Sequence, residues 1–252
     1  MSPYELLGLT SFLALILAVA LGFPRLKTPR KLSLEGIEDP KAAAAYDRIS
    51  RTPQFGLIRR GFVNEMKKHS VQGTITDIGC GPGYLLQLIA EEFPDKPLIG
   101  VDISEEMVKR ARAKFSVLNA NRKVEFRQGS AEHLPFADGT QDFIVSTLSL
   151  HHWHNPQLAF NEIYRVLKPG GQFLIFDLRR DARRFFFWLV WFAQNVVFRA
   201  MDGGVMRRIN EPTGSLLASY TVAELEEMMS QTRFGDYKIK GKTGWSYVWG
   251  KR

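Results

Sequence analysis

Apolar residues recur along this chain in two alternating rhythms. Short β-branched and aliphatic runs signal strands. Longer stretches with apolar positions three and four apart signal helices. From Thr74 the alternation is regular. It predicts strands at about 74–78, 98–102, 123–128, 141–147 and 172–178, and helices at about 84–93, 105–118 and 157–168. Ser104 is placed to cap the 105–118 helix, with Glu105 and Glu106 in its electropositive first turn. Upstream, residues 41–69 carry a helical apolar set that includes Tyr46, Ile49, Phe55, Phe62 and Met66, and Pro53 divides it into two helices. Near the C-terminus, Thr221 and Glu224 have the spacing of a capping box, and strands at 235–241 and 244–250 follow. Strand–helix alternation predicts a parallel sheet covered on both faces.

Two apolar stretches break the rhythm. Leu6–Phe23 is free of charge. At ~1.5 Å per residue it approaches the ~30 Å thickness of a hydrocarbon core. Arg25, Lys27, Arg30 and Lys31 follow it, whereas Met1–Glu5 has no basic residue. That asymmetry predicts a single-pass membrane anchor with the catalytic domain cytoplasmic. A cleaved signal peptide is the rival reading, since Ala18-Val19-Ala20 resembles a cleavage site. A buried amphipathic helix is the third. The second stretch, Phe185–Phe198, is rich in aromatics, with Arg183 and Arg184 before it and Arg199 after it. It is too short to span a bilayer. It reads as a lid helix packed on the core or as an interfacial helix at a lipid surface.

The expected organisation is an anchor at 1–23, a linker at 24–40, where Pro24, Pro29, Gly36 and Pro40 cluster, and a catalytic domain at 41–252 with an aromatic insertion at 180–210. The 252-residue length suits one domain with extensions, and 45% hydrophobic content supports a full core. One cysteine excludes an internal disulfide framework and a cysteine-rich metal site. A net charge of +8 favours anionic partners: a membrane surface, nucleic acid or an acidic substrate.

The most informative segment is Thr74–Tyr84, TITDIGCGPGY. A strand runs into Asp77, then a turn holding Gly79, Gly81 and Gly83, then a helix whose N-terminus points its free N–H groups into the same space. A second strand, 97–102, ends on Asp102, placed to accept ribose hydroxyls. A dinucleotide fold needs G-x-G-x-x-G, but Tyr84 holds the last position. Asp77 would repel a pyrophosphate and suits an ammonium. S-adenosyl-L-methionine carries an ammonium, a sulfonium and a ribose, and no phosphate.

With these residues the chain resembles class I S-adenosylmethionine-dependent methyltransferases, most closely the small-molecule group around the ubiquinone/menaquinone C-methyltransferases. The resemblance covers roughly residues 40–180. Gly129–Phe136, Asp142–Thr147 and Leu167–Gly171 follow the loop in the family's order. It implies a Rossmann-like, doubly wound, mostly parallel seven-stranded α/β sheet with an antiparallel C-terminal edge pair, here preceded by a transmembrane helix. It also implies a cofactor site of Asp77, Gly79, Cys80, Gly81, Gly83, Asp102, Ile103, Ser130, Ala131 and Thr147. Tyr46 resembles the family's cofactor-covering N-terminal segment, or is a core tyrosine. Ser130 stands where the family often has Asp.

His151, His152 and His154 lie just past the fourth strand, where α/β sheets place ligands. They read as cofactor-wall residues, with His151 or His152 as a candidate general base. A metal site finds no carboxylate or cysteine partner nearby in sequence, so none is expected. Tyr164–Lys168 matches the Y-x-x-x-K of short-chain dehydrogenases, but its lysine sits at a helix end before Pro169 and it follows the wrong loop.

The expected activity is methyl transfer to a lipophilic small molecule, such as a quinone precursor or another aromatic or prenyl lipid, at the membrane face. N-methylation of a phospholipid headgroup and a non-catalytic cofactor-binding assembly protein are the alternatives. No nucleic-acid substrate is expected, because Ser146–Ser149 replaces the Asn/Asp-Pro-Pro-aromatic motif of base methylation. No obligate protein partner is evident.

Overall fold

The computed structural model describes residues 25, 27–32, 37–118, 124–205 and 211–252. Helices α1 (Pro40–Ser50) and α2 (Pro53–Met66) each begin on a proline, which lacks the N–H that a first turn leaves unused. Asp39 caps α1 by accepting from Ala42 N. The alternating unit then runs β1 (Ile75–Ile78), α3 (Tyr84–Glu92), β2 (Leu98–Asp102), α4 (Glu105–Leu118), β3 (Val124–Gln128), β4 (Gln141–Thr147), α5 (Pro156–Val166) and β5 (Leu167–Leu178). The aromatic segment forms α6 (Arg184–Phe192) and a π-helical stretch (Ala193–Phe198), and α7 (Arg199–Asp202), α8 (Thr213–Ala218) and α9 (Val222–Ser230) follow. Strands β6 (Asp236–Gly241) and β7 (Trp245–Lys251) close the chain.

The seven strands form one sheet in the order β3-β2-β1-β4-β5-β7-β6. The first five are mutually parallel, and β7 pairs antiparallel with both β5 and β6. This is the expected doubly wound sheet with its antiparallel edge pair. The order reverses at β1, between β2 and β4, and a crevice opens at the strand ends there. Both faces are covered. Phe160, Ile163, Phe173 and Met229 pack on one, and Phe62, Leu86, Val108 and Phe143 on the other.

Three local expectations meet their structural outcome. Ser104 Oγ does cap α4, accepting from Met107 N at 3.2 Å. Thr221 and Glu224 form the full capping box of α9. The turn expected at Leu167–Gly171 falls inside a long β5: Gln141 pairs with Leu167, residues 168–171 turn outward with Gly170 at a φ of 80°, and regular pairing resumes between Phe143 and Gln172.

The segment expected as a linker is held to the domain. Lys31 N donates to Leu217 O at 3.1 Å, and Arg180 Nε to Thr28 O at 2.8 Å. The expected anchor, Leu6–Phe23, lies outside the described residues. Among the described residues no helix is long and apolar enough to cross a membrane. The expectation of a single-pass membrane protein with a cytoplasmic domain is corrected to this extent: no described helix supplies its anchor.

Candidate active site

The sheet's chain reversal brings the loops after β1, β2, β3 and β4 around one cavity. Ile37, Tyr46, Gly79, Gly81, Asp102, Ile103, Met107, Gly129, Ser130, Ala131, Leu148, Ser149, His152 and Trp153 are among its walls. Gly79, Gly81 and Gly83 all have positive φ, at 72°, 51° and 83°. At Gly79 a Cβ would come within 2.2 Å of Ser149 Oγ, so the loop is as tight as it is left-handed. Gly79 N and Cys80 N both donate to Val101 O, and Gly81 N donates to Asp102 Oδ2 at 2.7 Å. Ser104 N holds the other Asp102 oxygen at 2.9 Å. Asp102 is thus fixed between two loops, with its remaining lone pairs at the cavity. Burial pushes its carboxyl up to about 6, against the pull of those two N–H donors.

Asp77, one residue before the end of β1, is 1% exposed. Its Oδ1 is buried and has no hydrogen-bond partner among the described residues. Burial, then the neighbouring Asp102, raises its carboxyl well above the ordinary range. A buried carboxylate with an idle oxygen, beside a glycine cradle, suits a ligand that carries an ammonium. The residues present therefore fit S-adenosylmethionine. Asp77 would meet the ammonium, Asp102 the ribose, and Ile103, Met107 and Ala131 the flat faces of a base. Ser130 and Ala131 line this cavity with Asp102, whereas Cys80 and Thr147 line a smaller recess with Asp77 and Tyr84. Gly83 N-caps α3 from behind, packed against Phe115.

Helix α1 covers the cradle. Its Tyr46 lines both cavities and the recess, and burial, then Asp102 and Glu211, pushes its hydroxyl up to about 12. The helix is latched by the next residue. Asp47 accepts from Tyr84 Oη at 2.9 Å and from Arg51, and Lys114 Nζ lies 3.0 Å from the Tyr84 ring centroid. Burial leaves the Lys114 ammonium at about 8, with Asp47 holding it up. Tyr84, which stands where a dinucleotide site has glycine, is the centre of this latch.

A second, larger cavity of about 600 Å³ adjoins the first. The two share Ile37, Tyr46, Leu148 and His152. Its other walls include Ile49, Phe55, Ile58, Phe186, Leu189, Val190, Ala193 and Phe198, with Glu38, Asp39 and Glu211 among the few charged members. The aromatic segment thus supplies one wall through α6 and the π-helical stretch. Its outer side, with Trp188, Trp191 and Phe192, is exposed.

The three histidines separate. His151 is buried in the wall of the large cavity, His152 lies between the two cavities, and His154 is exposed. Among the described residues no group of three or more His, Cys, Asp or Glu side chains is arranged for a metal ion. Sequence reasoning missed Asp177, whose carboxylate meets His151 Nδ1 at 2.7 Å. It also missed Leu148, which lines both cavities and the recess from a positive φ of 55°, rare for a branched residue. Only the β4–β5 pairing brings Asp177 to the site, and no spacing announces it.

Residues 76–175 match the family described as "Methyltransferase domain". The chain is 32% identical over 144 residues to a demethylmenaquinone methyltransferase of Bacteroides fragilis, covering 56% of this chain and 58% of that one. It is 28% identical over 211 residues to a ubiquinone/menaquinone biosynthesis C-methyltransferase of Syntrophotalea carbinolica, covering 81% and 87%. Among solved structures, a putative S-adenosylmethionine-dependent methyltransferase of Methanococcus maripaludis superposes with a TM-score of 0.62 at 25% identity, covering 86% and 95%. The chain spans less than two thirds of the length of the first curated relatives it matches, from 25% to 58%.

Proposed function

With residues 76–175 forming a class I S-adenosylmethionine-dependent methyltransferase domain that resembles the ubiquinone/menaquinone C-methyltransferase group, we propose that the chain methylates a lipophilic small molecule, such as a quinone precursor or another aromatic lipid. The observation that carries this reading is the apolar cavity of about 600 Å³ that shares four wall residues with the cofactor cavity. An apolar chamber with few polar groups selects an apolar body and leaves orientation to those groups. Bound in the glycine cradle, S-adenosylmethionine would supply a methyl group on a sulfonium, for transfer to an acceptor nucleophile with the C–S pair left on sulfur. The protein's own part is alignment and exclusion of water. Tyr46, Leu148 and His152 form the shared wall across which donor and acceptor meet, and α6 roofs the acceptor side.

Calorimetric titration tests the cofactor. S-adenosylhomocysteine is expected to bind and NAD is not. Binding of NAD alone would end the reading. Asp102 adds a pH signature. Its carboxyl sits at about 6 in the folded protein, so the anion that accepts ribose hydroxyls is present above that pH and is lost below it. Affinity for S-adenosylhomocysteine should therefore fall as pH drops through about 6, by up to about tenfold per unit. A flat profile would remove Asp102 from the ribose.

The acceptor side is tested by filling the chamber. Ala193→Phe adds a ring to the large cavity but not to the cofactor cavity. Overpacking of about 1–3 kcal/mol predicts a roughly tenfold or greater rise in KM for a lipophilic acceptor. S-adenosylhomocysteine affinity should hold. If radiolabelled methyl passes to polar acceptors and lipophilic ones are ignored, the chamber has another purpose.

A further inference from the structure

Asp177 and His151 form a buried pair that cofactor binding does not use. They are 3% and 2% exposed. One Asp177 oxygen accepts from the His151 backbone N–H at 2.7 Å, and the other meets Nδ1 at 2.7 Å. The carboxylate thereby fixes both the ring orientation and the tautomer: the proton sits on Nδ1 and the lone pair on Nε2. That Nε2 is buried and has no hydrogen-bond partner among the described residues. His151 is a wall residue of the large cavity. An acceptor left idle in an apolar wall is destabilising, and a ligand that brings a donor removes that cost.

Building on the methyl-transfer reading, we propose that the acceptor presents a phenolic hydroxyl to His151 Nε2 and that His151 removes its proton, with Asp177 as the positioning residue. In this step the acceptor's O–H bond breaks, its electron pair stays on oxygen, and the proton forms a new N–H bond on Nε2. Asp177 balances the imidazolium, and the oxygen becomes the nucleophile that methyl transfer requires.

The surroundings suit that step. Burial alone would lower the imidazole's affinity for a proton. Asp177 and Glu211 outweigh it, with Arg30 opposing them, and the ring ends above its ordinary value. The His152 ring lies 4.1 Å from the His151 ring, on the boundary with the cofactor cavity, so the deprotonated oxygen would lie near that boundary. A phenol, at about 10 like tyrosine, is within a few units of a carboxylate-supported imidazole, whereas an aliphatic hydroxyl is far beyond it. Phe55, Phe186 and Phe198 give an aromatic body its wall.

The test uses the full chain saturated with S-adenosylhomocysteine and, as probe, a 4-nitrophenol carrying an alkyl tail. Its phenolate absorbs visibly, so proton transfer is read without turnover. Titrated from pH 6 to 9, the bound probe should reach half-ionisation at least one pH unit lower in the wild type than in His151→Gln or Asp177→Asn. The amide that Asp177→Asn introduces would turn an N–H toward Nδ1 and invert the tautomer, which a merely structural role would not register. S-adenosylhomocysteine affinity should stay within about twofold in both variants. Methylation of a phenolic acceptor should fall about 10²–10⁴-fold in His151→Gln. If probe and S-adenosylhomocysteine both bind and ionisation is equal in all three proteins, the base assignment is overturned while the methyl-transfer reading stands. Failure of the wild type to bind S-adenosylhomocysteine would instead remove the reading beneath it. Should neither variant fold, the wild type decides alone: half-ionisation of the bound probe below that of the free probe supports the assignment, and half-ionisation above it overturns it.

Discussion

Phe173→Ala is expected to lower the unfolding free energy by about 3–5 kcal/mol, the range for emptying an aromatic site in a packed core. Phe173 lies on β5 at 0% exposure. Its ring meets Phe234 at 4.7 Å and Phe160 at 5.6 Å between centroids. It also lies over Gly250 of β7, where a Cβ would come within 2.4 Å of the ring. Three elements thus converge on one side chain: α5 through Phe160, the loop between α9 and β6 through Phe234, and the edge pair through Gly250. None of them can collapse into the gap without moving the sheet, so the cavity term should be close to full. Chemical denaturation of wild type and variant measures the difference. A loss below about 1 kcal/mol would mean that the edge pair is not braced through this ring.

Gly79→Ala should cost about 2–5 kcal/mol, shared between stability and cofactor affinity. A left-handed conformation costs a residue with a Cβ roughly 1–2 kcal/mol, and overpacking adds about 1–3. Both apply here, since φ is 72° and the new Cβ would lie 2.2 Å from Ser149 Oγ. Ser149 cannot simply rotate away without releasing Trp153 Nε1, which donates to its hydroxyl at 3.1 Å. The loop or the Ser149–Trp153 wall must move, and both line the cofactor cavity. Paired measurement of the melting midpoint and of S-adenosylhomocysteine binding captures the cost wherever it falls. A variant unchanged in both would show that the cradle tolerates a side chain.

What the sequence made legible follows from where the determining forces are local. The boundaries of α4 and α9 were readable because Ser104, Thr221 and Glu224 satisfy helix ends through bonds spanning three residues. The glycine loop was readable because left-handed backbone leaves a compositional mark. The end pair β6–β7 was readable from alternation, but its place beside β5 came from family resemblance.

The rest depends on contacts remote in sequence. Asp177 reaches His151 only through the pairing of β5 with β4. The early start of β5 depends on Gln141 pairing with Leu167, which places the Pro169-Gly170-Gly171 turn inside the strand. The large cavity joins residues of α1, α2, α6 and the segment before α8, which no local pattern relates.

The cofactor loop also contains the chain's single thiol. Cys80 is 6% exposed, and burial, with Asp102 and Asp77 nearby, pushes its ionisation well above the usual thiol range. In the closed loop it is neither accessible nor a thiolate, so it is chemically silent. A small uncharged thiol reagent can modify it only when the loop and its α1 cover part. The rate of modification is then a native clock for local opening, free of background from other cysteines and needing no engineered label. Slower modification in saturating S-adenosylhomocysteine would measure how far the bound ligand holds that opening shut.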